Sequence, residues 1–282
     1  MELFSWLRPR PAPARRRVGL VLSGGAVRGV AHLGVLQVLD EAGIRPDLVV
    51  GVSAGAVVGG LYCAGLSPAA LQQTAKEMNW NRLARFVRPH LGIFDISPLG
   101  QVVDGLTGGL TFEQLTIPFA AVSVDIICGE LVIFREGPLA RAILASCAIP
   151  GLFNPVEDGE RLLVDGGALD NLPVTVARDM AADYVIAVDV APPPPTPVEW
   201  PKNILEMWSL SVYALMRRTH AREGRMADVL IEPDIAHISF IDFGQVDALV
   251  QKGREAALAQ LARIQDDLGM APRVSVAGDG RG

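Results

Sequence analysis

Asp47-Leu48-Val49-Val50-Gly51-Val52-Ser53-Ala54-Gly55-Ala56-Val57-Val58-Gly59-Gly60-Leu61-Tyr62 changes character at Ser53, and that change decides the fold. Leu48 to Val52 is a short run of β-favouring apolar residues, the pattern of a strand buried on both faces in a parallel sheet. Beyond Ser53 the apolar residues continue with glycine and alanine, and no charge occurs between Asp47 and Lys76. Leu48 to Leu66 is long enough to pose the question of a membrane span. Five glycines in that stretch, and its strand-like opening, favour a buried strand running straight into a buried helix.

Upstream the same transition occurs once more. Val18 to Leu22 is an apolar strand pattern that breaks into Ser23-Gly24-Gly25, and Val30, Leu33, Val35, Leu36, Val38 and Leu39 then recur at mainly helical spacing. Gly43 ends that helix. Downstream, Ser67-Pro68 supplies an N-cap and a first-turn proline for a third helix reaching about Met78. Asn79 to Gly109 carries mixed signals, with a helix start near Ser97-Pro98.

From Pro118 the β pattern returns. Phe119 to Ile127 and Glu130 to Phe134 flank Cys128-Gly129 as a hairpin. Leu139 to Cys147 reads as a helix that stops at Ile149-Pro150-Gly151. Asn154 to Glu157 and Arg161 to Val164 surround Asp158-Gly159, the strongest hairpin-turn dipeptide in the chain, and the second of these strands delivers Asp165-Gly166-Gly167. Asn171 with Pro173 marks a further helix start and Tyr184 to Val190 another core strand. Pro192 to Pro195 is an extended polyproline stretch. Ile204 to Arg222 has helical periodicity, Val229 to Ile231 is a short strand, and Asp247 to Asp267 is an amphipathic helix. Alternating strands and helices predict an α/β fold of three layers, α/β/α, around a central, mainly parallel sheet. Residues 18–270 form the expected domain, between a basic Pro/Arg-rich segment at 1–17 and a disordered tail at 271–282.

With 50% hydrophobic and 20% charged residues, the chain can bury one substantial core. A formal net charge of -6 gives no field that would attract nucleic acid. Arg8, Arg10, Arg15, Arg16 and Arg17 form a local exception, following Leu3, Phe4, Trp6 and Leu7. Such a segment suits either a disordered tail or peripheral contact with an anionic membrane. The apolar group near Met1 is too short for a signal peptide, so a cytoplasmic location is expected, with or without attachment to the inner face of the membrane. Cys63, Cys128 and Cys147 read as three buried thiols without metal-ligand spacing. The sequence calls for no cofactor and no metal, and it leaves the oligomeric state open.

Gly51-Val52-Ser53-Ala54-Gly55 matches a nucleophile elbow, in which a serine sits on a tight strand-to-helix turn. The adjoining helix N-terminus adds free N–H groups and a positive dipole end. Ser23 to Gly29 is a second glycine loop at a helix start, able to aim amides at a developing oxyanion. Its rival reading is dinucleotide binding, given the spacing of Gly24, Ala26 and Gly29. In a dinucleotide fold an acid closes the second strand. Here Asp47 opens it and a serine closes it.

The segment Gly24 to Gly29 resembles the G-G-G-x-R/K-G oxyanion-hole motif of patatin-like phospholipases. Gly51 to Gly55 resembles the G-x-S-x-G elbow of that family, and Asp165-Gly166-Gly167 its D-G-A/G motif. Ser146 to Pro155 is also similar to a block seen in bacterial members. The resemblance implies a patatin-like fold and a serine esterase without a cofactor. It implies Ser53 as nucleophile and Asp165 as general base, in a dyad with no histidine between them. Gly24, Gly25 and Ala26 would form the oxyanion hole, supported by Arg28, Gly51, Gly55, Gly166 and Gly167. The implied substrate is a lipid or other acyl ester, of phospholipid or lysophospholipid type. Ala26 departs from the motif's third glycine but keeps its N–H. Arg28 would fix the loop or meet a substrate phosphate.

A Ser, acid, His triad is the competing hydrolase arrangement, and His220 and His237 both follow Asp165. His220 lies among arginines on an expected exposed helix, and His237 lies in a loop without a partner signature. His32 falls in the first helix as a packed or surface residue, and His90 in the stretch without a clear pattern. Asp189 ends a core strand and could replace Asp165, while Asp125 reads as structural. Trp200, Met207 and Trp208 read as core residues, or as the lining of an apolar groove shared with Asn79 to Gly109. The alternatives to an esterase are a nucleotide-binding oxidoreductase built on the first glycine loop and a lipid-binding scaffold that hydrolyses poorly.

Overall fold

A computed structural model describes residues 15–191, 200–202, 204, 207, 210, 211, 214 and 222–270. The first 14 residues, Pro192 to Pro195, Trp208, His220 and residues 271–282 lie outside the described residues. In chain order the elements are β1 (Val18–Leu22), α1 (Ala31–Ala42), β2 (Leu48–Val52), α2 (Ala54–Cys63), α3 (Pro68–Glu77) and α4 (Trp80–Leu83). There follow β3 (Arg85–Phe86), β4 (Phe94–Asp95), α5 (Ser97–Thr107), β5 (Phe119–Asp125), β6 (Glu130–Phe134) and α6 (Leu139–Cys147). The last are β7 (Val156–Asp158), β8 (Arg161–Asp165), α7 (Val174–Asp179), β9 (Tyr184–Val188), β10 (Val229–Ile231) and α8 (Val246–Asp267).

Strands β10, β9, β1, β2 and β5 lie side by side and parallel, with β6, β8 and β7 added antiparallel at the β5 end. Alternation along each strand splits the apolar residues between two cores. Leu20, Leu22, Val49, Phe119 and Ala121 pack on one face with residues of α1, α2, α6 and α8. Val21, Leu48, Val50, Val52, Ala120 and Val122 pack on the other with Leu172, Val174, Val176 and Ala177 at α7. The expected three-layer arrangement with a mainly parallel sheet is what the chain adopts.

Ser67 caps α3 by accepting from the Ala70 N–H at 3.2 Å, with Pro68 in the first turn. The hairpin at Gly159 turns through Gly159 and Glu160, since Asp158 pairs with Arg161. The β5 and β6 turn is longer than expected and takes in residues 126–129. Asp125 holds that turn by accepting from the N–H groups of Ile127 and Leu162, the structural role expected of it. Asn79 to Gly109 resolves into α4, the β3 and β4 ribbon, and α5. Among the described residues, no helix is long and apolar enough to cross a membrane.

Register places the ends of two strands together. Along β5, Ala121 to Asp125 pair with β6, Phe119 to Val122 with β2, and Ser123 to Asp125 with β8. A strand has two edges. β6 takes one throughout this overlap, so β2 and β8 share the other and meet end to end. Val52 stands opposite Val122 and Asp165 opposite Ser123. The chain crosses this junction tightly, because a Cβ on Gly166 would overlap the Val122 carbonyl oxygen.

Candidate active site

Ser53 leaves β2 with φ 52 and ψ -122, a conformation that costs a non-glycine residue roughly 1–3 kcal/mol. Its N–H donates to Ser146 Oγ at 2.9 Å, and Ser146 Oγ donates to the Val122 carbonyl at 2.6 Å. Its carbonyl accepts the Ala56 and Val57 N–H groups, opening α2. Close packing fixes the turn from the other side, since a Cβ on Gly55 would overlap the Leu22 carbonyl. The elbow is therefore held by its neighbours, and the Ser53 side chain is left for other partners.

Asp165 is 6% exposed and Ser53 7%. The Asp165 N–H donates to the Ala148 carbonyl at 2.9 Å, and its carboxylate accepts the Gly167 N–H at 2.8 Å. Burial pushes the carboxyl up to about 6, opposed first by hydrogen bonding from the Ser53 side chain and then by Gly167. A carboxylate poised there is a stronger base than an exposed aspartate and is still ionised at neutral pH. The Cys147 thiol borders both side chains. Burial and then the Asp165 charge push it far above the usual thiol range, which leaves it protonated and without nucleophilic character.

The first glycine loop closes the site from the β1 side, where Gly24 abuts Ser53 closely enough that a Cβ would sit 3.0 Å from that of Ser53. The N–H groups of Ser23, Val27 and Arg28 are spent on the carbonyls of Val188, Phe240 and Gly25. Those of Gly24, Gly25 and Ala26 bond no described residue. Ala26 has φ 49, so the departure from the motif's third glycine still adopts the left-handed backbone there. Arg28 donates to the Ile238 and Ala236 carbonyls at 2.7 and 2.9 Å and so ties the loop to the segment after β10. Asp189 takes another part, accepting the Ala191 N–H at 2.9 Å and lying 3.4 Å from Ser23 Oγ.

Two sequence expectations are corrected, the burial of Cys128 and the core reading of Trp200 and Met207. Cys128 is exposed, because it lies in the β5 and β6 turn, while Cys63 and Cys147 are buried. Trp200 is 89% exposed and Met207 55%, so neither is core. His90 and His237 are exposed. Asp47, the acid weighed for a dinucleotide site, lies at the amino end of β2. There it accepts the Val18 N–H at 2.8 Å and pairs with Arg15 at 3.0 Å, across the sheet's length from the glycine loop. Sequence reasoning did not single out Ser146 or Asn171 for the site. Ser146 lay inside a block already noted, but only the pairing of α6 with β5 reveals that its hydroxyl bridges Ser53 and Val122.

The family model of patatin-like phospholipases matches residues 20–178, more than half of the chain. An uncharacterized NTE family protein of Mycobacterium tuberculosis is 34% identical over 280 residues, covering 90% of this chain and 48% of its own. Patatin-like phospholipase domain-containing protein 6 of Mus musculus is 33% identical over 231 residues, covering 78% of this chain and 16% of its own. VipD from Legionella pneumophila shares the fold, with a TM-score of 0.54 at 14% identity over 89% of this chain and 67% of VipD. The class is an α/β fold built on a mainly parallel central sheet with flanking helices, as in VipD. The chain belongs to the patatin-like phospholipase family, and it spans about half the length of the mycobacterial relatives it matches.

Proposed function

We propose that this chain hydrolyses lipid acyl esters through Ser53 and Asp165, by way of an acyl-enzyme. The observation that carries the reading is the buried Asp165 carboxyl beside the Ser53 side chain, a carboxyl that burial raises to about 6 against the opposing influence of Ser53 and the Gly167 N–H. As Ser53 Oγ attacks the ester carbonyl carbon, its proton passes to Asp165 and the carbonyl oxygen takes the negative charge. The N–H groups of Gly24, Gly25 and Ala26 receive that charge, each worth on the order of 3 kcal/mol in the transition state. Collapse breaks the ester C–O bond, and the alcohol leaves with the proton from Asp165. Water then gives a proton to Asp165 and attacks the acyl carbon. The carboxylic acid departs as Ser53 regains its proton, with no outside reactant beyond water.

Arg28 acts in this reading as an anchor of the glycine loop, on the strength of its two carbonyl bonds. Exposed Trp80, Phe86, Leu91 and Trp200 offer apolar surface for acyl chains. Arg15, Arg16 and Arg17 are exposed at the amino end of β1, opposite the Ser53 edge, so membrane contact through them would not by itself bring Ser53 to the surface. A fluorophosphonate probe is expected to label the wild-type chain at Ser53 and to spare Ser53→Ala. Turnover across phospholipids, lysophospholipids, acylglycerols and soluble esters would then set the substrate. Labelling that survives in Ser53→Ala, or bound dinucleotide in the purified chain, would overturn the reading.

A further inference from the structure

The described residues contain two buried side-chain polar atoms without a hydrogen-bond partner, His32 Nδ1 and Asn171 Oδ1. An unpaired buried polar atom costs about 1–3 kcal/mol, so a residue that keeps one is being held for something its other atom does. In both residues the other atom grips the back of the glycine loop. His32 Nε2 lies 2.9 Å from the Ser23 carbonyl oxygen, and Asn171 Nδ2 donates to the Gly24 carbonyl at 3.1 Å. Both residues have 0% exposure.

A carbonyl oxygen can only accept, so His32 carries its proton on Nε2 and donates. The ring is neutral at physiological pH, because burial pushes it down to about 4. A peptide unit is planar and trans, so its N–H points opposite to its C=O. Fixing the Ser23 carbonyl therefore fixes the Gly24 N–H, and fixing the Gly24 carbonyl fixes the Gly25 N–H. Ser23 Oγ adds a weaker hold on the Gly24 carbonyl at 3.2 Å. The Gly25 carbonyl accepts the Arg28 N–H at 3.1 Å, which fixes the Ala26 N–H in the same manner. Three successive peptide units are thus pinned by their carbonyls, and their three N–H groups bond no described residue.

We propose that His32 and Asn171 are positioning residues of the oxyanion hole, acting through the Ser23 and Gly24 carbonyls to hold the Gly24 and Gly25 amides toward Ser53 Oγ. This rests on the reading of Gly24 to Ala26 as that hole. Neither residue exchanges a proton with substrate; His32 is a fixed donor and not a catalytic base.

The test uses the full chain, an ester substrate and a fluorophosphonate whose phosphonyl oxygen stands in for the oxyanion. Removing an oxyanion donor costs about 10²–10³ in kcat, and misaiming one costs less. His32→Leu and Asn171→Leu are accordingly expected to retain roughly a tenth to a hundredth of kcat with KM within about twofold. His32→Gln, which keeps an amide donor, should recover much of the loss. In chains labelled with ¹⁵N-glycine, the wild-type Gly24 and Gly25 amide signals should move downfield on phosphonylation, and the Leu variants should show a diminished shift. Wild-type amides that stay put on a labelled Ser53 would sink the oxyanion-hole reading and this assignment with it. Wild-type amides that move, with equal movement in the Leu variants, would sink this assignment alone. If His32→Leu does not fold, Asn171→Leu, which keeps the branched shape, decides by the same two outcomes.

Discussion

Asp165 is paired across the sheet with Ser123, the residue directly after the Val122 that faces Val52. A parallel strand and an antiparallel strand therefore end against each other on one edge of β5. Ser53 and Asp165, 112 positions apart in the chain, become neighbours through backbone register, and both are left almost buried there.

Activity should depend on the ionised carboxylate of Asp165. Its carboxyl is raised to about 6, so kcat/KM is expected to rise with pH to a plateau, with a midpoint near that value. A profile of ester hydrolysis between pH 4.5 and 9 checks this. Full activity persisting at pH 4.5 would exclude Asp165 as the base. His32, pushed down to about 4, adds no step in this range.

Asp165→Asn should abolish turnover and stabilise the fold at neutral pH. The unfolded chain releases this proton near 3.8 and the folded chain near 6, so the folded state binds more protons between those values. Stability therefore falls as pH rises through that window and stays lower above it. Asparagine keeps an acceptor for the Gly167 N–H and removes the buried charge. The expected gain is up to roughly 3 kcal/mol at pH 8 and vanishes below pH 4. Denaturant midpoints of both chains at pH 4, 6 and 8 measure it, and a gain independent of pH would contradict the account.

Ser146→Ala should weaken the elbow without touching substrate. The substitution leaves the buried Ser53 N–H and the Val122 carbonyl without their shared partner. Stability should drop by about 1–3 kcal/mol. The rate of fluorophosphonate labelling at Ser53 should drop as well, because the strained φ of Ser53 loses its tether. Labelling at the wild-type rate would show that the tether does not set the nucleophile's position.

Gly55→Ala should be far more damaging than an ordinary glycine-to-alanine change in a helix, which is normally favourable by about 1 kcal/mol. The new methyl would meet the Leu22 carbonyl oxygen at the contact between α2 and β1. Loss of soluble folded protein, or of probe labelling, is expected. Gly105→Ala in α5, where a Cβ meets nothing within 4 Å, is the comparison that should show the ordinary gain of about 1 kcal/mol.

Local pattern made much of this protein legible. The switch of periodicity at Ser53 and the Val18 to Gly29 run announced strands leading into glycine turns, because strand and helix propensities act over a few residues. Ser67-Pro68 marked its helix start for the same reason. Turn lengths were less legible, as with residues 126–129, since Cys128-Gly129 does not reveal how many neighbours leave the ladder. The core reading of Trp200 and Met207 fails, and their groove-lining alternative stays open, because hydrophobicity alone does not tell whether another element arrives to cover a side chain.

The amino-acid sequence by itself determined the layered α/β architecture, the serine on its elbow and the glycine loop, because each is encoded within a short contiguous stretch. Only the tertiary structure decided which groups meet. Pairing of β2 and β8 along one edge of β5 set Asp165 against Ser53. Folding of α1 and of the segment after β8 over the glycine loop turned His32 and Asn171 inward to its carbonyls. Such contacts join residues up to 147 positions apart, and they exist only once the sheet has fixed its register and excluded water.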